Sequence, residues 1–505
     1  MSDKSESSGV DTPLSASDLG SGFSTRGIFS EAMAPTQPPP AQTQQRTQRP
    51  QRPILQQQQK QQQKQQQQQQ RTATIDISKQ GAHINRFSIS GVSRIRSGFL
   101  SDLLQPVFDS KTIKEVVDET REAAGKLRAL GIAKAVAVEM DKSNEKEDAL
   151  DVHFHCKDGS RYIVKTGVDV GDSEGMASVT GRINNIWGGG ESFEANYSRG
   201  SKTQAAFQGT LSAPLDADPR KRLEATANQA ILANRPYSSH DELRRALGMA
   251  YRQETLGGMH ELSYSLSWRD ICNLGAHASP SMRLEAGHSL KSSIGYTFSC
   301  DNRDSATVPS SGSYARVGSE FAGIGGDVQF AKTHFELQSN QSLGRGYVLS
   351  TSMHGGLLWG AKTSIADRFF LGGNTSVRGF EHRGIGPRDG EDSIGGDVFY
   401  AAGISLLTPL PYVKTDALKG HLWANAGQCA LLDSRGLGKT ATRPSGGINS
   451  EVMRFLTSPS ASVGVGLVYR HSLVRVELSC CLPIVATTAD RPKPGMNFGL
   501  GFQFL

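Results

Sequence analysis

The sequence predicts a mainly β protein: a 16-stranded transmembrane antiparallel β-barrel, preceded by one small β-α-α-β-β domain and a disordered N-terminal tail. Three observations predict it. A Pro/Gln-rich tract dominates residues 1–80, a compact helix-and-strand pattern fills 81–160, and period-two alternation of apolar residues recurs from 161 to 505.

The tail comes first. "QPPPAQTQQRTQRPQRP" leads into "QQQQKQQQKQQQQQQ", which ends at Gln70. Such a stretch has too little apolar surface to offset the entropy of ordering, so disorder is expected. "MSDKSESSGVDTPLSASDLG" has no apolar core of a secretory signal and no Arg-rich amphipathic pattern. A barrel with this N-terminus is expected to be made in a cytosol and not to cross a bacterial inner membrane by a cleaved signal.

Residues 81–160 read as a small α/β unit. "INRFSISGV" alternates as a strand, and "SGFLSDLLQPVF" reads as a short helix bent or ended by Pro106. "TIKEVVDETREAAGKLRALG" is the clearest helix. Thr112 and Glu115 form a capping box, and Ile113, Val116, Val117, Thr120, Ala124, Leu127 and Leu130 share one face. Gly131 suits the position just past its end. "AKAVAVEM" and "ALDVHFHC" follow as strands, separated by the polar turn "DKSNEKED". In the second, Leu150, Val152 and Phe154 oppose Asp151, His153 and His155. His153 and His155 have no third ligand nearby, so a solvent-facing strand surface accounts for them and no metal site is expected.

From Arg161 onward the alternation is strong. Leu262, Tyr264, Leu266 and Trp268 share one face of "ELSYSLSWRD", with Ser263, Ser265, Ser267 and Arg269 on the other. "ASVGVGLVYR", "LVRVELS" and "NFGLGFQFL" repeat the pattern. A soluble sandwich or propeller turns such apolar faces inward, and a membrane barrel turns them outward. The polar faces are small or charged, as a wet lumen tolerates, and they favour the barrel. One strand plus loop per about 21 residues gives roughly 16 strands.

Composition sets the remaining bounds. No segment approaches a spanning helix, and mean hydropathy is −0.40, a measure blind to barrels. The 55 basic and 49 acidic residues are dispersed, so nucleic acid is not an expected partner. The six cysteines form no CxxC pair and suggest scattered reduced thiols. "GIGGD" is too generic for a nucleotide loop, and no Ser/His/Asp grouping sits in a recognisable elbow. No enzyme activity and no cofactor are expected.

One stretch stands apart: "FFLGGNTSVRGFEHRGIGP", Phe369–Pro387. It sets a single arginine in a Gly-rich loop, without the spacing of a phosphate-binding loop. Its Val377-Arg378-Gly379-Phe380 motif, with "RFFLGG" before and "GIGP" after, resembles the signature of the outer-membrane protein assembly superfamily. The stretches "SVTGRINNIWGGGESFEANYSRGS", "LWANAGQCALLD", "VRVELSCCLPI" and "GMNFGLGFQFL" are similar to its mitochondrial sorting and assembly branch. The resemblance implies that residues 81–160 are a single POTRA domain facing the intermembrane space. It implies a barrel in the mitochondrial outer membrane with the motif loop folded into the lumen.

The resemblance also implies a function: inserting unfolded β-barrel precursors into the lipid bilayer, helped by accessory subunits. Arg378 is expected to lock the loop to the lumen wall through its planar fork, with Phe380 beside it. Some relatives carry an acid where this chain has Asn425. Glu477, on the polar face of its strand, is the preferred partner here, with Arg475 on the same face competing for it. The first and last strands are expected to form a lateral gate, with Tyr162, Val164, Thr166 and Val168 outward on one side and Phe498, Leu500, Phe502 and Phe504 on the other. Gly499 and Gly501 weaken the last strand, and Gly167 falls on the inner face of the first. Lys493, Gly495, Phe498 and Leu500 match the family's client signal. A polypeptide-translocating pore, a metabolite porin and a soluble all-β binding protein are the competing readings.

Overall fold

The computed structural model describes residues 81–92, 94–143, 149–171, 174–411, 417–432, 455–470 and 475–501. The expectation for residues 1–80 lies outside them.

The N-terminal unit contains β1 (His83–Ser90), α1 (Ser97–Asp109), α2 (Ile113–Ala129), β2 (Ala133–Lys142) and β3 (Ala149–Asp158). The sheet order is β1-β3-β2, with β1 parallel and β2 antiparallel to β3. Both helices bury one face. Phe99, Leu103, Leu104 and Val107 of α1 meet Val116, Ala123, Ala124 and Leu127 of α2 over Val152 and Phe154. This burial explains why Pro106 does not end α1, as the sequence suggested. Val107 beyond it is fully buried, so the helix keeps its register despite the lost backbone donor.

Thr112 Oγ1 accepts from the Glu115 amide at 3.3 Å. The Glu115 carboxylate accepts from the Lys111 amide at 2.9 Å, one residue earlier than a strict capping box. That backbone bond holds the Glu115 pKa below the ordinary carboxylate value. Its capping contribution is therefore present above the normal Glu range and fades as pH falls through the lowered pKa. His153 and His155 lie beside β1, with Nδ1 at 2.5 Å from Ser88 Oγ and 3.0 Å from Ser90 Oγ, so strand-surface hydrogen bonds account for both.

The rest of the described chain is built on one sixteen-stranded sheet. Its strands are β4 (Tyr162–Gly171), β5 (Glu174–Asn184), β6 (Ser192–Gly200), β7 (Thr203–Leu215), β8 (Asp218–Ala233), β9 (Asp241–Thr255), β10 (Gly258–Cys272) and β11 (Gly287–Asp301). They continue as β12 (Gly312–Gly326), β13 (Gln329–Gly344), β14 (Tyr347–Lys362), β17 (Val398–Pro409), β18 (Leu418–Ala430), β19 (Ser460–Arg470), β20 (Arg475–Val485) and β21 (Gly495–Gly501). Each pairs antiparallel with its neighbour, and β21 returns beside β4 to close a barrel. Between β14 and β17 lies a long connection carrying the short hairpin β15 (Arg388–Asp389) and β16 (Asp392–Ser393).

The apolar faces point outward. Leu262 and Tyr264 of β10, Ile294 and Tyr296 of β11 and Val465 and Leu467 of β19 are exposed, while Ser267 and Arg269 on the opposite face of β10 are buried. A soluble sandwich would bury the first set, so the outer face is that of a membrane-embedded barrel.

The N-terminal unit sits against the turns at one end of the barrel. The Arg96 amide donates to Gly188 O at 2.8 Å, and Asn185 Nδ2 donates to Arg94 O at 2.7 Å. Ala217, in the β7–β8 turn, enters the N-terminal core. Leu127→Ala is expected to destabilise this unit by about 2–5 kcal/mol. Urea-dependent proteolysis of the N-terminal unit should shift accordingly, while the heat-modified gel mobility of the barrel stays unchanged.

Candidate functional site in the barrel lumen

The β14–β17 connection enters at the end opposite the N-terminal unit and folds inward. A short 3-10 turn, Ile365–Asp367, starts it, with Ser364 Oγ accepting from the Ala366 amide and donating to Glu285. The Gly373 amide donates to Val377 O and the Gly372 amide to the Ser376 hydroxyl, making a tight turn that presents Arg378. Leu371, Val377, Phe380 and Ile385 form a buried cluster with Phe330, Leu358 and Cys429 of the wall. Gly379 has φ +80°, and a Cβ there would lie 3.2 Å from the Ser462 Cβ. The backbone thus runs against the wall where a larger residue is both strained and crowded.

Arg378 is almost completely buried, and the structure brings it to Glu477, which is equally buried. Arg378 Nη2 lies 3.4 Å from Glu477 Oε1. His421 Nδ1 reaches the same carboxylate oxygen at 3.2 Å, so the acid is shared between a guanidinium and an imidazole. Trp423, not Phe380, covers the guanidinium, with its ring centroid 5.1 Å away. Gly464 makes room for this indole, since a Cβ there would meet Trp423 Cζ2 at 2.3 Å. Phe380 instead joins the apolar cluster and forms a backbone bridge with Pro492. Ser462 Oγ donates to Arg378 O, and Asn425 Nδ2 donates to Ser376 O at 3.2 Å. Asn425 therefore holds loop backbone where an acid would present charge. The Arg475 side chain lies outside the described residues.

A second buried ion pair anchors the start of the loop. Arg269 of β10 makes a bidentate contact with Asp367, at 2.7 and 3.0 Å. Lys332 Nζ donates to Asp367 O at 2.7 Å and lies 4.4 Å from the Phe369 ring centroid. The alternation had placed Arg269 on the inner face, but its partner precedes "RFF" nearly a hundred positions later, so nothing local linked them. His421 and Trp423 were similarly missed. The only signal was that bulky groups alternate with the outward Leu422 of β18.

The loop is also tied to the β20–β21 connection. The Glu381 amide donates to Arg491 O at 3.0 Å, the Arg491 amide to Gly384 O at 2.8 Å and the Lys493 amide to Gly379 O at 2.8 Å. The connection leads directly into β21.

The chain has relatives of similar sequence and fold. The Omp85 superfamily domain matches residues 185–504. The chain belongs to the Omp85 superfamily. It is 35% identical over 443 residues to a SAM50-like protein of Schizosaccharomyces pombe, covering 84% of this chain and 90% of that one. It is 31% identical to the sorting and assembly machinery component 50 homolog of Homo sapiens, covering 85% and 91%. The crystal structure of BamA from Haemophilus ducreyi lacking POTRA domains 1–3 superposes with TM-score 0.68 at 14% identity, over 83% of this chain and 84% of that one.

The Omp85 barrel here has one distinctive junction. Among the described residues, β4 pairs only with β5 and β21 only with β20, although β4 and β21 lie side by side. Tyr162, Val164, Thr166 and Val168 are exposed on β4, as are Met496 and Phe498 on β21. Leu500 lies in β21 across from Val476, and Gly499 lies across from Glu477. Phe502 and Phe504 fall outside the described residues. The Arg378 clamp is thus one strand from the junction.

Removing one partner of a buried ion pair strands the other charge, at about 3–5 kcal/mol. Glu477→Ala and Asp367→Ala are each expected to lower the temperature at which the barrel loses its compact gel mobility. In a double-mutant cycle, Arg378→Ala added to Glu477→Ala should cost less than the sum of the two. Additive costs would mean that the two side chains do not act as a pair.

Proposed function

We propose that this chain inserts β-barrel precursors into the mitochondrial outer membrane, with the β4/β21 junction as a lateral gate. Its N-terminal unit, residues 81–160, serves as a single POTRA domain in the intermembrane space. The observation that carries the reading is the junction itself: two strand edges side by side with no ladder between them among the described residues. An unpaired edge in hydrocarbon is a template for another strand. Backbone hydrogen bonds read shape rather than sequence, so one edge accepts many clients. A precursor that adds strand by strand keeps its own polar groups paired as it enters lipid.

The loop supplies control. Asp367 fixes its root to the wall at β10, and Arg378 holds its tip to β20. The bonds at Gly379, Glu381 and Gly384 join it to the segment feeding β21. Displacing β21 therefore works against the loop, and loop position biases the junction. Unfolded precursors, the bilayer and accessory subunits are the partners of this activity. A free translocation pore fits less well, because the loop packs its apolar cluster into the lumen.

Organelles depleted of the protein give the test. Radiolabelled mitochondrial porin precursor should fail to reach its assembled form on native gels, while matrix proteins import normally. Normal porin assembly would exclude the insertion role.

A further inference from the structure

The outer face of the barrel carries a basic side chain that the insertion reading does not use. Along β9, alternate outward positions are Leu243, Arg245, Leu247 and Met249. Arg245 lies on the outer face with the apolar outward residues Leu243 and Leu247 on either side along its strand. Charge on the lipid face is costly toward mid-bilayer and small near the interface, so a tolerated outward cation lies at the depth where lipid headgroups meet the barrel. Arg245 lies four residues from the β9 end remote from the N-terminal unit, in the row where Trp268 marks the aromatic border.

Its surroundings define a seat. Arg245 Nε donates to Gln229 Oε1 at 3.2 Å, and the guanidinium carbon stands 5.2 Å from the Trp268 ring centroid. This fixes the side chain on the surface and leaves the Gln229 amide and the terminal guanidinium groups as donors. Directly beside this row is a trough of about 960 Å³. Gly181, Ala195, Gly209 and Ala227 pair across four strands as its floor. Tyr197 and Phe207 rise on the Arg245 side, and Phe193 and Met249 belong to the next outward row. The trough is apolar along its length and cationic at one edge.

We propose that this outer face of β5–β10 binds an anionic phospholipid of the leaflet remote from the POTRA domain, with an acyl chain in the trough and the phosphate on Arg245 and Gln229. A helix from a membrane protein would use the small floor residues, but a cation at headgroup depth beside an apolar trough matches the phosphate and acyl chain of one lipid, and this charge complementarity favours the lipid. The site is independent of the gate and rests only on the barrel being embedded in a membrane.

Native mass spectrometry of the full-length protein tests this, using dioleoylphosphatidylglycerol against dioleoylphosphatidylcholine. Wild type should retain one phosphatidylglycerol with a preference of about fivefold, the worth of one interfacial basic residue. Arg245→Gln should erase the preference. Gly209→Phe should abolish retention of that lipid; its new Cβ meets only the Phe193 ring, at 3.6 Å, so the strand accepts it. Compact gel mobility verifies each fold, and Ala227→Leu stands in if Gly209→Phe does not assemble. A preference that survives Arg245→Gln, or lipid retained after the trough is filled, would overturn the proposal. So would a photo-crosslinker at position 227 that captures a polypeptide instead of lipid in native membranes.

Discussion

Hydrocarbon offers no partner to a backbone N–H or C=O, and the rest of this structure depends on that constraint. It explains why the chain closes sixteen strands into a cylinder, and why their outward positions are apolar while charge is turned inward. It also makes one junction consequential. Fifteen neighbouring strand pairs form ladders, whereas β4 and β21 meet without one among the described residues. Strand edges that meet in lipid without a ladder are costly for a resting protein and useful for one that must engage other strands.

The lumen loop is the counterweight. Its apolar cluster fills space, but its placement is specified by charge: Arg269 with Asp367 at the root, Arg378 with Glu477 and His421 at the tip. Buried ion pairs add little net stability compared with apolar packing, yet breaking one is expensive. They suit a part that must occupy one position and resist half-measures. Backbone bonds to Arg491 and Lys493 extend that position to the last strand.

Much of this was legible in the sequence because strands and helices carry periodicity. The alternation of Leu262, Tyr264 and Leu266 against serines gave face as well as strand, and Thr112 and Glu115 marked a helix start that the structure retains. The Val377–Phe380 motif marked the loop, and the polar face of β20 pointed to Glu477. What escaped was long-range and geometric. Which other group reaches the Glu477 carboxylate is set by the barrel's register, and His421 comes from a different strand. Trp423 covers Arg378 only because Gly464 leaves space. Asp367 and Arg269 meet across the lumen with no shared local pattern. Pro106 reads as a break, but the burial of Val107 overrides it.

The central claim is that the junction opens while the protein works. Cysteine pairs, one between Tyr162 and Val168 and one at Met496 or Phe498, joined by a short bifunctional maleimide, test it most directly in a background lacking the native thiols. The account predicts that cross-linked protein keeps its compact barrel but no longer assembles imported porin, while either cysteine alone remains active after the same treatment. Porin assembly at the normal rate with the two strands cross-linked would contradict it.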